Sequence, residues 1–352
     1  ADILSELPKD RVTEVISEIE DDDHAQHIVD LLGYEEGTAG SLMAKELVKV
    51  KETWLIPTCV RKMRTQAQEV TRVHSIYVVD ENDHLIGRLS LKDLLVASPK
   101  SKISDIYIDK VDSVNVHDKA EDVARKMQKY DLEAIPVINI QGRLLGRITI
   151  DDVVDFITES AQEDIQVMAG ISEDVEEDDS IWLLVRSRLP WLIGGMVGSF
   201  LAAKIIDRFD DTIALLPAIS AFIPLIGSTG GNVGIQSSSL IVQSLADKSG
   251  LDTTLWKRLQ KVLIVAFINA IIAAIFAFGC SLLVDSGEIM LSTTVSISLF
   301  AVVMLASLMG TITPLVLNQL KINPAVASGP FITTTNDILG YGVYFLIVYL
   351  LL

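Results

Sequence analysis

Gly329-Pro-Phe-Ile-Thr-Thr-Thr-Asn-Asp-Ile-Leu-Gly340 lies inside an apolar segment that runs from Pro324 to Leu352. Its only charged side chain is Asp337, which is also the only acid after Glu288. A carboxylate at membrane depth costs roughly 2.5–3.5 kcal/mol and is rarely kept there without a role. If the segment spans a bilayer, Asp337 marks an ion path; the alternative is a helix-packing acid paired with a neighbouring donor.

Outward from this stretch the chain divides into two halves. Residues 182–352 hold long apolar runs with little charge and resolve into five predicted spans, 182–206, 213–246, 262–284, 289–318 and 324–352. The second and fourth are long and carry Pro or Gly, which predicts tilts or kinks. The second contains Gly227-Ser-Thr-Gly-Gly-Asn-Val-Gly-Ile-Gln236, whose glycines permit either close backbone approach or a helix break. Asn232 and Gln236 are one turn apart there, as Thr333 and Asp337 are in the fifth span, with Asn336 beside them. Two polar, glycine-containing spans in one bundle point to a conduction path.

Lys and Arg set the expected orientation. Arg186 and Arg188 precede or begin the first span, Lys248, Lys257, Arg258 and Lys261 join the second to the third, and Lys321 joins the fourth to the fifth. The opposite loops carry Asp207, Asp210, Asp211, Asp285 and Glu288, with only Lys204 and Arg208 as bases. A multi-pass protein of the cell inner (plasma) membrane is expected, with a cytosolic soluble half and an extracytoplasmic C-terminus.

Most of the formal charge of −18 lies in residues 1–181. That excludes nucleic acid and anionic lipid as partners of this half and suits a cation. The two cysteines, Cys59 and Cys280, lie in different halves and predict no disulfide framework. Residues 1–32 read as short helices, with Pro8 at a helix start, and the acid- and His-containing run from Asp21 to His27 reads as a solvated helix start rather than a metal site. No nucleophile–base constellation or metal-hydrolase spacing appears, so an enzyme is not expected.

Residues 76–95 realign on 135–154 with a shift of 59, pairing Ile76 with Ile135, Gly87 with Gly146, Arg88 with Arg147 and Asp93 with Asp152. Each copy reads strand, Gly turn, strand, then a helix opened by Ser/Thr-x-x-Asp, and a helix precedes each. This β-α-β-β-α order resembles a cystathionine-β-synthase (CBS) domain, and two in tandem resemble a Bateman module. The resemblance implies that Ser90, Asp93 and Thr149 hold ATP or another adenine nucleotide, Asp152 matching Asp93. A helix N-terminus does offer free N–H groups to an anion, although a capping role is the simpler reading. Ser75 stands where the family places a side chain that stacks on adenine.

Twelve acids lie between Asp151 and Asp179, with no Lys or Arg between Arg147 and Arg186. Asp152, Asp155, Glu159 and Glu163 are spaced 3, 4 and 4, which sets all four on one helical stripe. Such a stripe either stays solvated or takes a cation, and its hard oxygens suit Mg2+ or Ca2+.

Together these motifs, with Pro224–Gln236 and Asn323–Gly340, resemble the MgtE family of bacterial magnesium channels, akin to a group of eukaryotic solute carriers. The fold class implied is a cytosolic α+β tandem CBS module followed by an all-α five-span transmembrane bundle. Expected domains are a helical remnant at 1–37, CBS repeats at 38–98 and 99–158, an acidic connecting plug helix and linker at 159–181, and the membrane domain at 182–352. The resemblance implies a homodimer in the lipid bilayer with its pore on the two-fold axis. Asp337, the Thr333 carbonyl, Asn336 and Asn232 would meet Mg2+ there. Asp131, Asp152, Asp155, Glu159, Glu163 and Asp164 would form a cytosolic Mg2+ sensor that closes the pore. Other divalent cations could share the path. The alternatives are a secondary carrier of divalent cations and a CBS-regulated transporter of another solute.

Overall fold

The computed structural model describes residues 9–19, 21–68, 70, 72–246, 255–284 and 289–352. Pro8, Lys248, Asp285 and Glu288 lie outside the described residues, as do the side chains of Lys257 and Arg258. Two compact units form, Ala1–Ser160 and Ala161–Leu352.

In the first unit, α1 (Lys9–Ser17), α2 (Asp22–Leu31) and the short α3 (Ala39–Leu42) precede two copies of one motif. The first copy is β1 (Val48–Lys51), α4 (Ile56–Gln66), β2 (Ile76–Val79), β3 (Leu85–Leu89) and α5 (Leu91–Val96). The second is β4 (Val114–Asn115), α6 (Ala120–Lys129), β5 (Ala134–Ile138), β6 (Leu144–Thr149) and α7 (Ile150–Ala169), whose residues from Ala161 on belong to the second unit. Each sheet pairs its first strand parallel to its second and its second antiparallel to its third. The registers repeat to the residue: Ile76 faces Leu89 and Val78 faces Gly87, as Ile135 faces Ile148 and Val137 faces Gly146. Even the irregularity after Val78 recurs after Val137.

The Ile and Val of β2 and β5 drive this by burial. Val48, Val50, Ile76, Val78 and Leu89 form one core with Cys59, and Val123, Met127, Ile135, Val137 and Ile148 form the other. Tyr77, Val79 and Leu144 join the repeats. Burial pushes the Cys59 thiol up to about 11, which keeps it protonated and unreactive.

The third strand of each sheet pairs with a segment that precedes the other copy. Arg88 exchanges backbone hydrogen bonds with Ile108 at 3.0 and 2.9 Å, and Arg147 with Ala44 at 2.9 and 2.8 Å. Gly87 and Gly146 sit at these crossings because the approaching backbone leaves no room for a side chain. A Cβ at Gly146 would lie 2.6 Å from the Ala44 carbonyl oxygen.

Among the described residues, the second unit holds five helical segments long and apolar enough to cross a membrane: Ile181–Asp207, Pro217–Leu245, Leu259–Leu283, Ile289–Gln319 and Pro324–Leu351. They are built on α8 (Ile181–Asp207), α10 (Ile223–Ala246), α11 (Leu255–Val284), α12 (Ile289–Gln319) and α13 (Gly329–Leu351), with α9 (Asp210–Leu215) after the first. The second expected span is composite. α9 ends before Pro217, a 3-10 turn covers Pro217–Phe222, and Pro224 falls in the first turn of α10, where a missing N–H costs little. The glycines at 227–234 do not break the helix.

α12 is the central helix, burying Leu291, Val295, Leu299, Val302 and Val303 against Ile219, Phe222, Ile226, Tyr344 and Phe345. Its hydroxyls turn back on its own carbonyls: Ser296 donates to Ser292 at 2.7 Å, Ser298 to Thr294 at 2.7 Å and Thr311 to Ser307 at 2.8 Å. Polar side chains in a span are satisfied this way without a partner helix.

Substituting Gly146→Ala is expected to destabilise the soluble unit by about 1–3 kcal/mol, since the overpacked atom meets backbone. Urea unfolding followed by circular dichroism measures this; an unchanged midpoint would contradict the crossing geometry.

Candidate functional site

The glycine face of α10 receives the polar face of α13. A Cβ at Gly231 would lie 3.3 Å from Thr333 Cγ2, one at Gly227 3.2 Å from Asp337 Oδ1, and one at Gly234 would overlap the Asn336 amide. Hydrogen bonds extend the seam. The Asn336 amide Nδ2 donates to the Gly230 carbonyl at 3.3 Å, and Ser238 Oγ donates to the Ala327 carbonyl at 2.8 Å. Small residues permit this approach, and side chain-to-backbone bonds then fasten it.

The four expected pore residues separate on this frame. Asp337 is half-buried beside Gly227. The Thr333 hydroxyl turns back on its own helix, donating to the Gly329 and Pro330 carbonyls at 3.0 Å each. Asn232 and Gln236 lie exposed on α10. Asn336 is 3% exposed: its Nδ2 donates into the seam, while its Oδ1 is buried and has no hydrogen-bond partner among the described residues. Adjacent helical positions point about 100° apart, so Asn336 and Asp337 do not share a face.

The expected sensor acids divide in the same way. Asp131 is exposed, held at a φ of 50° just after α6. Asp155, Glu159 and Glu163 are exposed on one continuous helix, α7. Asp152 is already engaged: its Oδ2 accepts from the Thr149 amide at 2.8 Å and from the Thr149 hydroxyl at 2.5 Å. Asp164 accepts from Asn323 Nδ2 at 3.0 Å. Among the described residues no three His, Cys, Asp or Glu side chains converge to hold a metal ion.

The end of α7 is tied to the start of α13 by two glycines. Gly170, at a φ of 82°, packs against Pro330, and Gly329, at a φ of 51°, packs against the Met168 carbonyl. Both need the left-handed backbone that glycine adopts without strain.

The two Ser/Thr-x-x-Asp motifs also differ, which their sequences do not show. In the second repeat, Thr149 and Asp152 close on each other. In the first, the Ser90 side chain makes no capping hydrogen bond, and Ser90 and Asp93 open into a cavity of about 460 Å3. Arg88, Lys92, His74 and Ser75 help line it. Its two cations and two polar motif residues fit an anionic nucleotide, whereas Ser75 supplies no ring for a base.

Comparison with known proteins places both units. The MgtE family profile, described as a divalent cation transporter, matches residues 223–347, and the CBS domain profile matches 39–100 and 103–159. The magnesium transporter MgtE of Thermus thermophilus is 33% identical over 328 residues, 92% of this chain and 72% of that protein. The magnesium transporter MgtE of Enterococcus faecalis is 32% identical over 92% of this chain and 71% of that protein. A crystal structure of the soluble part of a magnesium transporter is 36% identical with a TM-score of 0.43, covering 46% of this chain and 62% of that one. With tandem CBS repeats, five candidate spans and relatives aligned along nine-tenths of its length, the chain belongs to the MgtE family of divalent cation transporters.

Proposed function

We propose that the chain is a Mg2+-selective channel or transporter for magnesium uptake, closed by cytosolic Mg2+ bound at acids of the CBS repeats and α7. The observation that carries this reading is Asp337: a lone carboxylate, half-buried on the glycine seam of two polar spans. Two chains related by a two-fold axis set two such carboxylates face to face. The pair repels itself when empty and attracts a divalent ion. Mg2+ sheds water reluctantly, so it binds largely hydrated, through carboxylate oxygens and waters. Selectivity then comes from fitting a hydrated ion.

The homodimer has a further support. Asn232 and Gln236 are exposed on a span, and amides facing hydrocarbon are costly. A second copy across a water-filled path gives them partners. Lys and Arg bias puts the soluble half in the cytosol and the C-terminus outside, in the inner (plasma) membrane.

For gating, the free acids are Asp131, Asp155, Glu159 and Glu163. At low Mg2+ they repel; bound ions neutralise them and let α7 and the CBS repeats pack closed. An ion at ten times its dissociation constant stabilises the state it binds by about 1.4 kcal/mol. Moving an equilibrium from 1:99 to 99:1 takes about 5.5 kcal/mol, so about four ions suffice. An adenine nucleotide fits the first repeat alone, with Ser90 and Asp93 open and Thr149 engaged by Asp152.

Three outcomes are expected. In liposomes holding a Mg2+ dye, Asp337→Ala abolishes selective uptake; undiminished uptake would sink the reading. Replacing Asp155, Glu159 and Glu163 together by Asn and Gln removes the protection from protease that Mg2+ gives; an unchanged midpoint would count against the sensor. Titration calorimetry with ATP finds binding lost in Asp93→Ala and kept in Thr149→Ala; the reverse pattern would place the nucleotide in the second repeat.

A further inference from the structure

The fifth span carries three tyrosines with different surroundings. Tyr344 is fully buried and its hydroxyl donates to the Ile219 carbonyl at 2.7 Å. Tyr349 is 69% exposed in the last turns of α13, where an amphipathic ring reaches the membrane interface. Tyr341 is neither. It is half-buried, mid-helix, and among the described residues its hydroxyl has no hydrogen-bond partner. A phenol left so in hydrocarbon is costly unless water or an ion meets it.

Its position says what meets it. Tyr341 lies one turn beyond Asp337 and on the same stripe. Both pack against Gly227: a Cβ there would lie 3.2 Å from Asp337 Oδ1 and 3.0 Å from Tyr341 Cζ, and would overlap the Tyr341 hydroxyl. The two oxygens therefore meet at one point on α10, close enough together for a single water to touch both. That approach is possible because residue 227 has no side chain.

We infer that the Tyr341 hydroxyl is a second element of the ion site, its oxygen accepting from a water of the hydrated divalent cation held at Asp337. The inference rests on the reading of Asp337 given above. The carboxylate supplies the charge. The phenol recognises a water in a fixed place, one helical turn toward the extracytoplasmic end, and so favours an ion that keeps its shell. A larger cation that sheds water readily gains less from that contact. Tyr341 is in this sense a specificity-determining residue, and Gly227 keeps its hydroxyl beside the carboxylate.

The test compares Tyr341→Phe, Tyr341→Gln and Asp337→Asn in the full chain, reconstituted in liposomes with a Mg2+ dye and Ca2+ as the competing ion. Tyr341→Phe keeps the ring and removes one oxygen. It is expected to raise the KM for Mg2+ about three- to tenfold, leave the maximal rate within about twofold, and make Ca2+ a stronger inhibitor. Tyr341→Gln, which keeps a polar group without the ring, is expected to stay closer to wild type than Phe does. A packing role gives the opposite order, and that order, or equal shifts in both variants, would overturn the inference. So would a Tyr341→Phe protein with unaltered KM and Ca2+ discrimination beside an inactive Asp337→Asn. Normal transport by Asp337→Asn would instead remove the ion-site reading and the inference with it.

Discussion

The close contact between the glycines of α10 and the polar face of α13 is the constraint on which the membrane unit depends. Lipid tails are as apolar as Leu, so no hydrophobic force drives these helices together. What remains is van der Waals contact and hydrogen bonding. Gly227, Gly231 and Gly234 bring α13 in closely enough for the Asn336 amide to reach the Gly230 carbonyl. That bond fixes the rotation of α13. Once Asn336 is turned into the seam, Thr333, Asp337 and Tyr341 take their places along the glycine stripe.

The start of the same helix also meets the end of the acidic connector. α7 opens with Asp152 folded onto Thr149 and ends with Asp164 on Asn323 and Gly170 on Pro330. The exposed acids Asp155, Glu159 and Glu163 lie between these contacts. Under the proposed gating, ions that neutralise them would act on the helix whose end packs against the first turn of α13, the span that carries Asp337.

Much of this was legible in the residues. The 59-residue repeat appears as two sheets with one register, because period-two burial and a Gly at a fixed crossing leave a strong pattern. The five spans and the lone Asp337 follow from hydropathy and charge. Other features depend on rotation and reach, which spacing does not encode. Asn336 and Asp337 are neighbours in sequence, yet one is buried in the seam and the other lies half-buried beside Gly227. Ser90–Asp93 and Thr149–Asp152 share a motif, yet one opens into a cavity and the other closes on itself. A tyrosine in an apolar span reads as packing; what sets Tyr341 apart is the glycine opposite it, Gly227.

The central claim is that one ion site is built from two chains, each contributing one Asp337. The most direct measurement uses mixed dimers, purified through two different tags from cells expressing wild-type and Asp337→Ala chains, and assayed for Mg2+ uptake in liposomes. The account predicts that the mixed dimer transports about as poorly as the doubly substituted one. Half of the wild-type rate would contradict it, since each chain would then carry a complete path of its own.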